Sequence, residues 1–156
     1  MNKNFGIILI SLCLFIHNNV FSQSLIINTL NNLDFGDVYI GYSSTITHTD
    51  AGAAKFIIDH NMQGGNQELQ ITFTLPGSFN NGSYSVPITF GSTTTAYSLT
   101  DLPTGRINFD PNTPLTYYKF KRKDNLYIWL GGTINVPTNI IPGLYTATIT
   151  VTVVII

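Results

Sequence analysis

The sequence predicts an all-β protein, an antiparallel β-sandwich, and three observations carry that prediction. Apolar and polar residues alternate with a period of two in several separate runs, no long stretch after Gln23 places apolar residues at helical spacing, and turn dipeptides punctuate the chain between the runs. The 156 residues suit a single domain with one hydrophobic core. Only 10% of them are charged, against about 25% in an average soluble domain, and Gly, Thr, Asn and Ser take the vacated share, as an exposed β-protein requires. A net charge of −1 offers no field for steering a polyanion, which excludes nucleic acid as the main partner.

The chain opens on a targeting pattern. Lys3 supplies a positive start, Phe5 to Ile16 is almost continuously apolar, and Val20 and Ser22 stand at the −3 and −1 positions of a signal-peptidase site. Residues 1–22 are therefore expected to be a signal peptide, cut before Gln23, with residues 23–156 forming one exported domain in the periplasm or at the cell exterior. The apolar run is too short to span a bilayer, so the protein is not expected to be membrane-spanning. Cys13, the only cysteine, lies within that run, and the domain is left without disulfide, thiol catalysis or cysteine-bound metal.

Four strands are explicit. Leu69, Ile71, Phe73 and Leu75 alternate with Gln70, Thr72 and Thr74. Val86, Ile88 and Phe90 form a second run, in which Pro87 predicts an edge or bulge position because it has no N–H to give a ladder. Leu126, Ile128 and Leu130 alternate with Tyr127 and Trp129, so both faces are apolar and a central strand is expected. Tyr145, Ala147, Ile149, Val151, Val153 and Ile155 fall on one face, and Thr146, Thr148, Thr150 and Thr152 fall on the other. Between the runs, Asn81-Gly82 predicts a tight hairpin, while Pro76-Gly77 and Pro142-Gly143 fit type II turns. The spacing implies roughly seven to ten strands.

With the strands placed, Leu33-Asp34-Phe35-Gly36, followed by Val38 and Gly41, resembles the opening motif of the secreted bacterial family catalogued as domain of unknown function 4402. Gly131-Gly132-Thr133-Ile134-Asn135-Val136-Pro137, then Pro142-Gly143-Leu144-Tyr145 and the threonine-alternating final strand, is similar to that family's C-terminal signature, and Leu75-Pro76 also fits. The resemblance covers Leu33 to Val153. It implies an immunoglobulin-like, pilin-like sandwich of the kind found in spore-coat-U and fimbrial proteins, and a surface or filament component in place of a catalyst. On physical grounds Phe35 is expected in the core, Gly36 at a tight bend, and Gly131-Gly132 at a bulge or kink after the central strand. About ten residues separate the cleavage site from Leu33, a short arm for donating a whole strand to a neighbour.

Candidate sites are few. His48 near Asp50, and Asp59 beside His60, outline a metal site only on paper, because adjacent residues of a strand point to opposite faces. The eight acids are scattered, and turn formation is their expected work, with calcium in an exposed loop as the weaker option. No Gly-x-Ser-x-Gly elbow or convergent acid, base and nucleophile set is present, so no enzyme and no cofactor is predicted. Lys119, Lys121, Arg122 and Lys123, beside Tyr117, Tyr118 and Phe120, form the one concentration of charge. They suit either a patch for anionic glycans or an exposed turn whose lysines guard flanking strands. Tyr127 and Trp129 offer a sugar platform, with core packing the plainer reading.

The last feature is the ending Val151-Thr152-Val153-Val154-Ile155-Ile156, in which the polar face is lost from Val153 onward. A strand apolar on both faces is buried, capped by a partner or prone to association, so Val153, Val154, Ile155 and Ile156 are candidates for strand addition with a protein partner or a second copy. The expected role is a non-catalytic, surface-associated structural or interaction domain, with an adhesin-type glycan-binding module as the alternative.

Overall fold

The structure is a computed structural model that describes residues 25–60, 66–121 and 124–156. The signal-like segment, Gly64-Gly65, and Arg122 and Lys123 lie outside the described residues.

Twelve strands follow one another: β1 (Leu25–Asn31), β2 (Ser43–Ile46), β3 (Ala54–His60), β4 (Gln67–Thr74), β5 (Ser78–Asn81), β6 (Tyr84–Thr89), β7 (Thr95–Ser98), β8 (Ile107–Asn108), β9 (Leu115–Phe120), β10 (Leu126–Leu130), β11 (Gly132–Asn135) and β12 (Thr150–Ile155). All the pairings are antiparallel. One sheet has the order β1-β3-β10-β7-β8, a second β2-β11-β6-β5 and a third β12-β4-β9. The count exceeds the expected seven to ten because single runs are cut in two. β4 and β5 flank the break at Leu75-Pro76-Gly77, while β10 and β11 are separated by Gly131 alone.

The second and third sheets share their line of strands. The last segment of the chain pairs with β4 from Thr150↔Thr74 to Ile155↔Leu69, and Thr146 exchanges two backbone hydrogen bonds with Asn80 of β5. Residues 146–155 thus run beside the interrupted strand β4–β5 and form its outer neighbour. The burial pattern follows the predicted alternation: Tyr145, Ala147, Ile149, Val151 and Val153 are half-buried, and Thr146, Thr148, Thr150 and Thr152 are exposed.

The five-stranded sheet packs on β4, β9 and β12 in a sandwich-like arrangement. Phe56, Ile58, Leu126, Ile128 and Leu130 from one side meet Leu69, Ile71, Phe73 and Phe120 from the other. β10 is central, as its two apolar faces predict. A smaller cluster of Val86, Ile88, Ile134, Val136 and Ile140 lies on the second sheet, and Phe35 closes it edge-on against Phe79 at 5.9 Å.

The glycines explain the corners. Gly36 (φ +61°) bends the chain after Phe35 while its N–H bonds to the Asp34 carboxylate at 2.8 Å. At Gly131 the chain leaves the first sheet and enters the second, and a Cβ there would overlap the carbonyl oxygen of Ile46. Three expectations are corrected. β6 is not an edge strand, because β5 pairs with Tyr84 to Pro87 and β11 with Ile88 and Thr89; Pro87 stands where the β11 ladder stops, so its missing N–H is not needed there. Neither Gly77 nor Gly143 has a positive φ, so neither Pro-Gly pair makes a type II turn. Seven residues of the supposed arm form β1, which is paired with β3.

Candidate functional site

The C-terminal candidates lie on an edge. β12 pairs with β4 on one side and with no other strand among the described residues. Ile156 donates to the Glu68 carbonyl at 3.0 Å, which fixes the alternation of the ladder. Even-numbered residues of β12 turn their N–H and C=O toward β4, and Val151, Val153 and Ile155 turn theirs outward. Val154 (42% exposed), Ile155 (37%) and Ile156 (58%) are open to solvent, so the apolar end is not covered by the sandwich.

A second edge, which the alternation did not reveal, belongs to β1. Ile26, Ile27 and Leu30 are exposed, and the strand carries no charge and no proline. The signal in LIINTLN is weak because Asn28 and Asn31 interrupt the apolar residues. β1 and the C-terminal segment meet at a seam: Thr29, Asn31 and Leu33 on one side and Ala147 and Ile149 on the other line a hollow of about 150 Å³ floored by Phe56 and Phe79. Two further hollows of about 210 and 230 Å³ continue beside it, between the Leu33–Ile40 loop and the Ile140–Tyr145 loop.

The basic and aromatic segment is split by the fold. Gln67 pairs with Phe120 but Leu69 pairs with Tyr117, so β9 carries one extra residue, and Lys119 takes the left-handed φ of +65° that this bulge needs. The bulge turns both Tyr117 and Phe120 inward. Phe120 is fully buried, and Tyr117 packs edge-on against Phe120 and Tyr97 at 6.1 and 5.8 Å. Tyr118, 62% exposed, is left outside with Lys119 and Lys121. Lys121 N–H bonds to the Asp124 carboxylate at 2.9 Å, closing the turn that follows.

Trp129 and Tyr127 occupy a place that sequence did not foresee. Trp129 is 4% exposed, yet it lies outside the inter-sheet core, because its neighbours Ile128 and Leu130 take the inward positions. Its cover comes from the connection between β7 and β8. Arg106 stacks on the Trp129 ring with Cζ 3.7 Å from the centroid, and it donates to the backbone carbonyls of Leu102, at 3.0 Å, and of His48. Lys55 sits over both rings at 5.5 and 5.7 Å and meets Asp101 at 2.5 Å. No local signal could have joined Lys55, Arg106 and Trp129, which come from three distant parts of the chain. Arg106→Ala is expected to cost about 2 kcal/mol, from the lost stacking and two charge-assisted hydrogen bonds, and to shift the emission of the single tryptophan to the red. Unchanged emission would show that Arg106 does not hold the cover.

Asp34, Asp50, Asp110 and Asp124 act as turn formers, as expected, whereas Asp59 and Glu68 stand in strands and Asp101 pairs with Lys55. Asp34 accepts from Gly36, Asp50 from Thr47 at 2.6 Å, and Asp110 from Asn112 at 3.0 Å; these hydrogen bonds hold Asp50 and Asp110 below the ordinary carboxylate range. His48, half-buried, differs from them. Its Nδ1 has no partner among the described residues, and burial, followed by the Arg106 guanidinium, lowers its pKa below the ordinary 6.5. The unfolded chain therefore protonates first as the pH falls. The stability held above pH 6.5 is lost as the pH drops through the depressed folded value. The urea midpoint should accordingly fall from about pH 7 to about pH 5, and His48→Gln should flatten that decline. Among the described residues no three His, Cys, Asp or Glu side chains gather to hold a metal ion, and no helix is long and apolar enough to cross a membrane.

Sheets, seam and edges together define an all-β, antiparallel, sandwich-like domain whose most distinctive surface is its uncharged strand edges. The chain belongs to the family described as Domain of unknown function (DUF4402), which matches residues 25–154. The match begins at the first residue of β1 and ends within β12, so it takes in the whole of β1 and all but the last residue of β12. No curated protein and no solved structure matches the chain.

Proposed function

We propose that this protein is a non-catalytic, exported interaction domain, a surface-associated structural component of pilin-like kind, whose contacts are made along strand edges. One observation carries the reading: the edge strands β1 and β12 expose apolar side chains and contain no charged residue or proline. Monomeric β-proteins guard such edges with lysine, proline or a covering loop. Edges left open are the usual place for strand addition. The signal-like start of the chain supports export, and the family resemblance supports a structural role.

The test is the oligomeric state of residues 23–156 by light scattering across a concentration series, with titration of strand peptides and a saccharide screen on the same material. Association, or saturable uptake of a strand peptide, is the expected result. A monomer that takes up neither peptide nor copy would overturn the proposal. Saturable saccharide binding by such a monomer, lost when Lys121, Arg122 and Lys123 are changed to glutamine, would favour the glycan-binding alternative, for which exposed Tyr118 supplies the free ring.

A further inference from the structure

We propose that the occupant of the β12 edge is a second copy of the same chain, paired antiparallel to β12 about a two-fold axis through Val153. This rests on the interaction-domain reading and names its partner. The outward N–H and C=O groups belong to Val151, Val153 and Ile155, as the Ile156-to-Glu68 hydrogen bond requires of an antiparallel ladder. Opposite residues in such a ladder point to the same face of the sheet. Two identical strands related by a two-fold axis perpendicular to the sheet therefore align both faces only when the axis passes through a residue.

Centring on Val153 satisfies hydrogen bonding as well. Val153 then faces Val153 of the copy, and Val151 faces Ile155, so every outward group meets its complement. The side chains agree with that register. On the odd-numbered face half-buried Val151 lies against exposed Ile155 and half-buried Val153 against itself, which extends the apolar layer across the junction. On the solvent face Thr152 lies against Val154 and Thr150 against Ile156. Neither β12 strand carries a charge; of the neighbouring β4 positions on that face Gln70, Thr72 and Thr74 are uncharged, and Glu68, beside Ile156 at the end of the pairing, is the one acid.

The register supplies its own test. Thr152 and Val154 are exposed in the single chain, so charges placed there leave its core intact. In the paired strands T152K/V154K sets lysine opposite lysine twice, whereas T152K/V154D sets lysine opposite aspartate twice. By sedimentation equilibrium the unsubstituted chain is expected to dimerise, T152K/V154K to raise the dissociation constant about tenfold or more, and T152K/V154D to recover most of the loss. Thermal unfolding and Trp129 emission confirm that each variant is folded. A dimer indifferent to T152K/V154K, or one that T152K/V154D fails to restore, would overturn the Val153 register. A chain monomeric at every concentration that still binds a Thr150–Ile156 peptide would remove the second copy but keep edge recognition. A monomer that also ignores the peptide would remove both.

Discussion

Gly131→Ala is expected to be among the most damaging single substitutions available, lowering stability by about 3 kcal/mol or more. The added methyl would overlap the backbone oxygen of Ile46, and the Thr94 oxygen stands 3.0 Å away on the other side. Neither obstacle is the tip of a flexible side chain. Gly131 also donates its N–H to that Thr94 oxygen at 2.9 Å, so the backbone cannot move aside without breaking the hydrogen bond. Because β10 and β11 belong to different sheets, a shift at Gly131 disturbs both. Gly77→Ala is the control: nothing lies within 4 Å of the new atom and φ is not positive, so a neutral or slightly stabilising change, up to about 1 kcal/mol, is expected. Chemical denaturation of the two variants makes the comparison. Equal midpoints would show that the corner at Gly131 relaxes freely.

Phe120→Ala should cost about 4 kcal/mol, the range for removing a fully buried phenylalanine, while Tyr118→Ala should change stability by no more than about 0.5 kcal/mol. The two rings are separated by one residue, yet they lie on opposite sides of the sheet because of the bulge at Lys119. Phe120 packs on Tyr117 and the main core; Tyr118 faces solvent. Urea unfolding gives both values. The pair also separates two roles, since loss of saccharide or surface binding in folded Tyr118→Ala would mark a contact residue, whereas Phe120→Ala would act only through unfolding.

The bulge also marks where the sequence stops being legible. Period-two alternation correctly exposes β4, the centre of β10 and the two faces of the C-terminal segment, because each is a regular strand over one core. It cannot reveal a lysine in the left-handed region, since nothing in Tyr118-Lys119-Phe120 demands one. Grouping the rings with the lysines by adjacency therefore joined residues that the fold parts. Trp129 shows a different limit. Alternation states which face a residue takes, not what covers that face, and its cover is Arg106, 23 residues earlier in the chain. Of the edge, the apolar ending was plain from the residues, but its exposure depended on strand order, and β1 was hidden by its asparagines.

The position of the C-terminal segment also governs when the fold can close. Residues 146–155 follow, in the chain, all the strands beside which they lie. As the chain emerges from its N-terminus, β4 and β5 stand for most of synthesis with one flank of backbone bare, and Leu69, Ile71 and Phe73 lack the cover of Val151 and Val153. Closure of the fold therefore waits until residues 146–155 have been made. Nascent chains arrested before residue 146 should stay open to protease, and protection should arrive abruptly once residue 155 is free to pair. Under the export proposed above, the late strand β12 would act as a timer for a chain that crosses a membrane before it folds.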